Sequence, residues 1–389
     1  MEIDEGERLF EKLVIGQSYN DVSFITARIC GVCPTAHTLA AIRAVENAFG
    51  VTVNDKIKNL RYALEAAQIV QSHALHLFFL VIPDYIKVQN ALDLHEKNPR
   101  IFKIATELKA VGDRVVEVIG GRTVHPITPT VGGFTSAPTR EEVENLITTV
   151  RAAQRLATET VDLFAGFRYP YLKREAEYFA LSNGKGIDLL GDNLISTEGV
   201  NVAASSYQYV IQEVIKSKCS AKHALHDGHG FLVGAIARVN QMKEEEFNSK
   251  TKKIIKALGI KLPINNSFKM NLAQAIELLH LLEEIEKRLT DFLWSKNERT
   301  RVPFTIKEGV GVGVVEAPRG LLFHMYEFDK NGIVTNCDIV TPTVQNLTNL
   351  EDDANEYLKQ NKSLTIPKRE RELEMLIRAY DPCITCAVH

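Results

Sequence analysis

Neither sign of charge is in excess in this 389-residue chain: 46 basic residues stand against 49 acidic ones, for a net charge of −3. A sequence this balanced presents no basic field, which excludes nucleic acid and anionic membrane surfaces as partners. Long hydrophobic runs are missing as well. The longest, Ala74 to Ile82 with His76 inside it, falls far short of the roughly 20 residues a membrane span needs. The start, Met1-Glu2-Ile3-Asp4, is acidic where the leader of an exported chain is basic. A cytoplasmic location is therefore expected. No repeat or low-complexity linker interrupts the chain, and the polar stretch near 181–200 is its one soft boundary. With 45% hydrophobic content, the length permits one large domain or two ordinary ones.

Cysteine is scarce but placed unusually. Four of the six form two Cys-x-x-Cys motifs, Cys30-Gly31-Val32-Cys33 near one end and Cys383-Ile384-Thr385-Cys386 near the other. Four thiolates split in this way meet only if the fold brings both ends together, and a four-sulfur metal site is then the natural product. Soft thiolates suggest zinc or iron–sulfur first. Zinc ribbons place their second pair roughly 15–20 residues after the first, whereas here almost the whole chain intervenes. A thioredoxin-like motif requires a single pair after a strand in a βαβ pattern, which does not fit either. A structural and a catalytic metal both remain open at this point. Because the ligand pairs sit at the ends, residues 1–389 are expected to form one cooperative domain. Cys219 and Cys337 read as isolated thiols.

Periodicity predicts a mainly helical fold with minor β structure and a central bundle of long helices. Leu39, Ile42, Val45 and Phe49 recur at helical spacing up to Gly50. Asn54-Asp55 caps a longer stretch that runs to about Ile82, where Pro83 should end it. Further helices are predicted over 98–119, 139–164 with a Thr139/Glu142 capping box, 203–217, 243–257, 271–295, 349–361 and 367–379. Strands are predicted over Gly311 to Val315, Leu321 to Phe328 and Ile333 to Val340, the last two joined as a hairpin by Asp329-Lys330-Asn331-Gly332. The run Gly309-Val310-Gly311-Val312-Gly313 resembles a nucleotide loop only superficially, since strand residues follow it and no helix does.

Arg28-Ile29-Cys30-Gly31-Val32-Cys33-Pro34-Thr35-Ala36-His37 and Asp381-Pro382-Cys383-Ile384-Thr385-Cys386-Ala387-Val388-His389 are similar to the two signature motifs of the large, catalytic subunit of nickel–iron hydrogenases. The resemblance extends to Arg8-Leu9-Phe10-Glu11, Gln71-Ser72-His73-Ala74-Leu75-His76 and Gly120-Gly121-Arg122 through Gly132-Gly133. It also takes in Glu316-Ala317-Pro318-Arg319-Gly320 and Thr341-Pro342-Thr343, so it spans nearly all of the chain.

The resemblance implies a Ni-Fe(CO)(CN)2 centre. Cys33 and Cys386 would bridge the metals while Cys30 and Cys383 bind nickel alone. As a terminal thiolate Cys383 would accept the proton when H2 is split into a proton and a hydride. Arg319 would hang over the vacant metal position and contact a cyanide, with Pro318 beside it and Thr343 donating to a cyanide. Glu11, Ile339 and His389 match the positions that hold a magnesium or iron ion, His389 being the last residue left after maturation. Val32 and Leu80 match a gas-channel constriction, whereas His37, His73, His76 and His125 read as hydrogen-bonded core residues.

Two departures bear on the branch. Ser72 replaces the aspartate of membrane-linked members, which favours the soluble branch coupled to cofactors. The family's N-terminal Arg-Val-Glu-Gly-His-like motif, whose glutamate relays protons, is absent, so Asp381, Glu316 or a water held by Thr385 is expected to substitute, in that order. The implied partners are H2, a small subunit carrying iron–sulfur clusters, and NAD(P)- or F420-linked electron-transfer subunits. The rivals are a zinc-stapled scaffold and a related energy-converting complex subunit without hydrogenase activity.

Overall fold

Pro34 opens the helix Pro34–Phe49 (α1) at a position where its missing amide forgoes no hydrogen bond, and Gly50 closes the helix at φ 68°. In the computed structural model, which describes residues 2–86, 88–294 and 299–389, a longer helix follows at once. Its start is fixed by Asn54, whose side chain accepts from the Ile57 amide at 3.0 Å, and it runs over Asp55–Leu75 (α2). From there a π-helical turn, His76–Val81, continues into a last helical turn, Ile82–Tyr85. Pro83 therefore does not end the helix. It sits in the first turn of that final segment, where proline is tolerated.

By length and composition alone Asp55–Tyr85 is apolar enough to cross a membrane, contrary to the expectation from the single run Ala74 to Ile82. Its apolar window is 78% buried inside the protein, as befits a core helix. Around it stand Pro99–Gly120 (α3), Arg140–Ala165 (α4) and Met270–Trp294 (α5). The α4 capping box forms as expected, with Thr139 N donating to Glu142 Oε2 at 2.8 Å and Glu142 N donating to Thr139 Oγ1 at 3.3 Å. α5 packs on α2 and α4, and α3 on α2, enclosing the largest apolar core. Helix makes up 53% and strand 15%, a mainly α fold with minor β. The predicted end of α5 at Ser295 lies outside the described residues.

Besides two two-stranded pairings, the described residues form two larger sheets. Glu177–Ser182 (β1), Asn193–Ser196 (β2), Asn201–Ala203 (β3) and Phe231–Leu232 (β4) form one in the order β3-β2-β1-β4, β1 and β4 being parallel. This sheet was not expected. Residues 203–217, predicted helical, contain instead a 3-10 segment at Ala204–Tyr209 and a strand at Gln212–Val214 paired with His223–Leu225. Ser205-Ser206-Tyr207-Gln208-Tyr209-Val210 is poor helix material, because serine competes for backbone hydrogen bonds and Tyr and Val lose rotamer freedom. Of 243–257, only Ser249–Ala257 is α-helix, behind a short 3-10 turn.

The second sheet holds Gly309–Ala317 (β5), Gly320–Phe328 (β6) and Val334–Val340 (β7), antiparallel in the order β7-β6-β5. Here the glycine run finds its reason. A Cβ on Gly311 would lie 2.0 Å from Ala44 O, one on Gly313 2.0 Å from Ala40 O and one on Gly309 2.9 Å from Ala48 O. Alternate residues of β5 thus face alanines spaced one helical turn apart on α1, and backbone meets backbone along a seam. After β7 come Pro342–Gln360 (α6) and Ile366–Ala379 (α7). α6 begins at Pro342 rather than 349, proline again taking the first turn.

Candidate metal centre

The two ends of the chain meet, and Arg8 ties them. Its Nη2 donates to Ile29 O, one residue before Cys30, and to Thr385 O, one residue before Cys386, the latter at 2.6 Å. Arg8 N also donates to Val388 O at 2.9 Å. Cys33 stands at the N-cap of α1 and Cys383 at the N-cap of the terminal turn Ile384–Ala387. The sulfurs of Cys30 and Cys383 are 3.5 Å apart, those of Cys33 and Cys386 3.4 Å, and those of Cys383 and Cys386 2.9 Å. All four are buried among Ile29, Leu39, Val315, Ala317, Leu322 and Ile339.

Four buried sulfurs, each within 3.5 Å of another, fit a thiolate-bound metal. The sulfur atoms of Cys30, Cys33 and Cys386 all lie within 4.8 Å of one another, close enough to share one or two ions. Hydrogen bonds from Cys30, then from Cys33 and Cys386, hold the Cys383 thiol far below its usual range, and Arg319 pulls in the same direction. Hydrogen bonding to Cys30 first, together with burial, pushes Cys33 and Cys386 up. Hydrogen bonding with Cys33 brings the Cys30 thiol down as well, so Cys30 and Cys383 are the two sulfurs that favour the thiolate form.

Arg319 sits in the turn between β5 and β6. Its Nε donates to Asp381 O at 2.5 Å and its Nη2 to Asp381 Oδ1 at 2.7 Å, while Nη1 is buried without a partner. A buried, unpartnered guanidinium N–H beside the sulfurs suits an acceptor held by the metals. Asp381, held at φ 51°, keeps Oδ2 unpartnered. Thr343 Oγ1 accepts from Cys383 N at 3.0 Å, which retains the threonine O–H as a donor. Pro318 turns its carbonyl towards Arg238 Nη2 at 3.3 Å. Glu316 has both oxygens engaged, one by Leu181 N at 2.8 Å and the other by Arg238 Nη1 at 2.7 Å, so it anchors strands instead of offering a free proton acceptor.

The histidines fill buried or half-buried hydrogen-bonded positions. His73 Nε2 meets Glu277 Oε2 at 2.8 Å, and His76 lies between Gln274 Oε1 at 2.6 Å and Arg378 O at 2.7 Å. Burial brings His37 down to about 3 and keeps it neutral. Its Nε2 lies 4.0 Å from Cys386 Sγ and its Nδ1 3.1 Å from His324 Nε2, and His324 Nδ1 lies 2.7 Å from Tyr326 O–H. With Cys386 a thiolate, each of these three contacts is filled by one proton directed towards the sulfur. No motif marks His324 and Tyr326. Their spacing of two on one face of β6 is the only signal for them. Val32 and Leu80 are 39% and 54% exposed, so among the described residues both side chains are only partly covered.

At the C-terminal corner His389 Nδ1 lies 2.7 Å from Cys386 O and Nε2 2.9 Å from Ile339 O, with Glu11 Oε1 3.8 Å from Nε2. Ile339 N donates to the same Glu11 oxygen at 2.8 Å. Burial pushes the Glu11 carboxyl up, but His389, Ile339 and the charge of Lys222 together hold it below its ordinary value. A neutral imidazole has one N–H for two facing carbonyls, so the donor set suits a cation.

A family model for nickel-dependent hydrogenases matches residues 8–108 and 205–389. The alpha subunit of sulfhydrogenase 1 from Pyrococcus furiosus is 34% identical over 392 residues, which cover 100% of this chain and 91% of that protein. The corresponding vhu chain of the F420-non-reducing hydrogenase from Methanocaldococcus jannaschii is 30% identical over 371 residues, 88% of each. Among solved structures, an NAD+-reducing [NiFe]-hydrogenase in the H2-reduced state superposes with a TM-score of 0.86 over 100% of this chain and 92% of its own at 24% identity, a likeness of fold. Because the family match takes in both ends that supply the four sulfurs, and a relative sharing a third of its residues runs alongside the chain throughout, the chain belongs to the nickel-dependent hydrogenase family.

Proposed function

We propose that Cys30, Cys33, Cys383 and Cys386 would hold the Ni-Fe(CO)(CN)2 centre and that Cys383 would accept the proton released when H2 is cleaved. The observation that carries this reading is the convergence of four buried sulfurs beside a guanidinium fixed by two bonds to Asp381. Bound nickel and iron supply the Lewis acidity that polarises hydrogen. Arg319 presents a permanent charge and one free N–H to that space, held in aim by two bonds to Asp381. Asp381 Oδ2 is the acceptor that takes the proton onward from Cys383. Thr343 and Pro318 line the cyanide side. Glu11, the Ile339 carbonyl and His389 hold a magnesium or iron ion that ties both termini.

As the catalytic large subunit of a nickel–iron hydrogenase, the chain requires an electron exit. Relatives include F420-non-reducing and NAD-reducing hydrogenase subunits. The NAD-reducing relative supports a small iron–sulfur subunit together with a soluble NAD(P)-linked acceptor module in the cytoplasm, whereas relatives named for not reducing F420 lend the F420-linked alternative no support. Residues 1–389 would act as one unit, because the centre draws on both termini. Metal analysis tests the reading. Nickel and iron in near-equal amounts, with infrared bands of carbonyl and cyanide, are expected, and zinc alone would end it.

A further inference from the structure

Arg238 is buried, 1% exposed, in the short helix Ala235–Gln241. All five of its N–H donors are engaged. Nε donates to Glu277 Oε1 at 2.5 Å and Nη2 to Glu277 Oε2 at 2.7 Å. Nη1 donates to Glu316 Oε2 at 2.7 Å and to Ala317 O at 3.2 Å, and Nη2 also reaches Pro318 O at 3.3 Å. One guanidinium therefore grips three consecutive residues that end immediately before Arg319. The Glu277 carboxylate on α5, itself bonded to His73 on α2, braces it from behind.

The same segment holds Arg319 from the other side. A Cβ on Gly234, at φ 97°, would stand 2.8 Å from Arg319 O, and one on Gly320 would stand 2.4 Å from Val233 Cγ2. Asn346 joins the two pieces, accepting from Val233 N at 3.0 Å and donating to Arg319 O at 3.4 Å. We infer that Arg238 is a positioning residue for hydrogen turnover: its fork, acting with the Gly234 contact, sets the aim of the Arg319 guanidinium over the four sulfurs. Lysine cannot replace it, since three donors on a flexible stem do not match five fixed acceptors. The inference rests on the role proposed for Arg319, and its test separates the two.

The experiment is a double-mutant cycle in the assembled, metal-loaded enzyme, read by turnover, metal content and the infrared bands of the cyanides. Arg238→Lys should lower turnover about tenfold with nickel and iron contents unchanged, the scale of a small misplacement near the chemistry. It should also shift the cyanide bands in the direction that Arg319→Lys shifts them. In the Arg319→Lys background the further cost of Arg238→Lys should fall below about twofold, because the misplaced group has already been replaced. Should Arg238→Lys fail to fold, Gly234→Ala takes its place in the cycle, pressing on Arg319 O without changing any charge. Costs that multiply in the double variant, or cyanide bands that stay in place, would overturn the inference. Arg319→Lys that is strongly impaired beside fully active Arg238→Lys and Gly234→Ala would overturn it alone. Arg319→Lys with near-normal turnover would remove the role of Arg319 and this inference together.

Discussion

At the scale of single residues, the proposed function asks Cys383 to do two things at once: donate sulfur electrons to a metal and carry a proton. Its neighbours make both possible, since Cys30 and Arg319 favour the thiolate and Thr343 fixes its amide. Serine offers a hard oxygen that nickel disfavours and that holds its proton at neutral pH. Cys383→Ser should therefore abolish hydrogen oxidation and lower the nickel content, and wild-type activity with full nickel would refute both roles. Arg319→Lys should retain the metals yet lower turnover by roughly 100-fold, as for the loss of one preorganised donor. A change under about threefold would make Arg319 structural, since so small a difference removes almost no transition-state stabilisation. These residues were legible because their motifs are dense. Arg8, Arg238 and His324 were not, because an isolated arginine or histidine in sequence carries no sign of being buried.

Among elements, the seam between α1 and β5 decides where Cys33 and Arg319 lie relative to each other, since one begins the helix and the other follows the strand. Gly311→Ala would drive a Cβ into Ala44 O, and overpacking of this kind costs about 1–3 kcal/mol or more. Denaturant unfolding should show that loss, accompanied by lower metal occupancy. Unchanged stability would mean that the seam can open. The braced pair of Glu277 and Arg238 makes a second prediction. Burial would raise the Glu277 carboxyl, but Arg238 and His73 override it and bring it down to about 2 from an ordinary 4.5. A depressed carboxylate stabilises the fold above its unfolded value and loses that contribution as pH falls from 4.5 towards 2. Glu277→Gln should melt earlier at neutral pH and lose less of its melting temperature across that window than the parent. Equal losses would count against the pairing. Long helices were legible from their period and from caps such as Thr139 and Asn54. The sheet Glu177 to Leu232 was not, because strands of two to six residues leave too little alternation to read, and their pairing is set by distant partners.

For the whole molecule, the electron path sets the limit. Outside the four sulfurs only Cys219 and Cys337 remain, too few for an iron–sulfur cluster, which takes four cysteines. The purified chain alone should therefore not reduce dyes with hydrogen, and adding the small subunit should restore the reaction. Robust dye reduction by the verified single chain would show that another exit exists.

The meeting of the two ends also has a consequence in time. Cys30 and Cys383 are separated by 353 positions, and at roughly 5–20 residues per second a ribosome needs about 18–70 s to pass from one to the other. Through that interval the first Cys-x-x-Cys pair exists without its partners, open to oxidants and to any soft metal in the cell. A centre that draws on all four sulfurs is completed only once Cys383 and Cys386 have been made, and the turn Ile384–Ala387, with Cys383 at its N-cap, carries both of them.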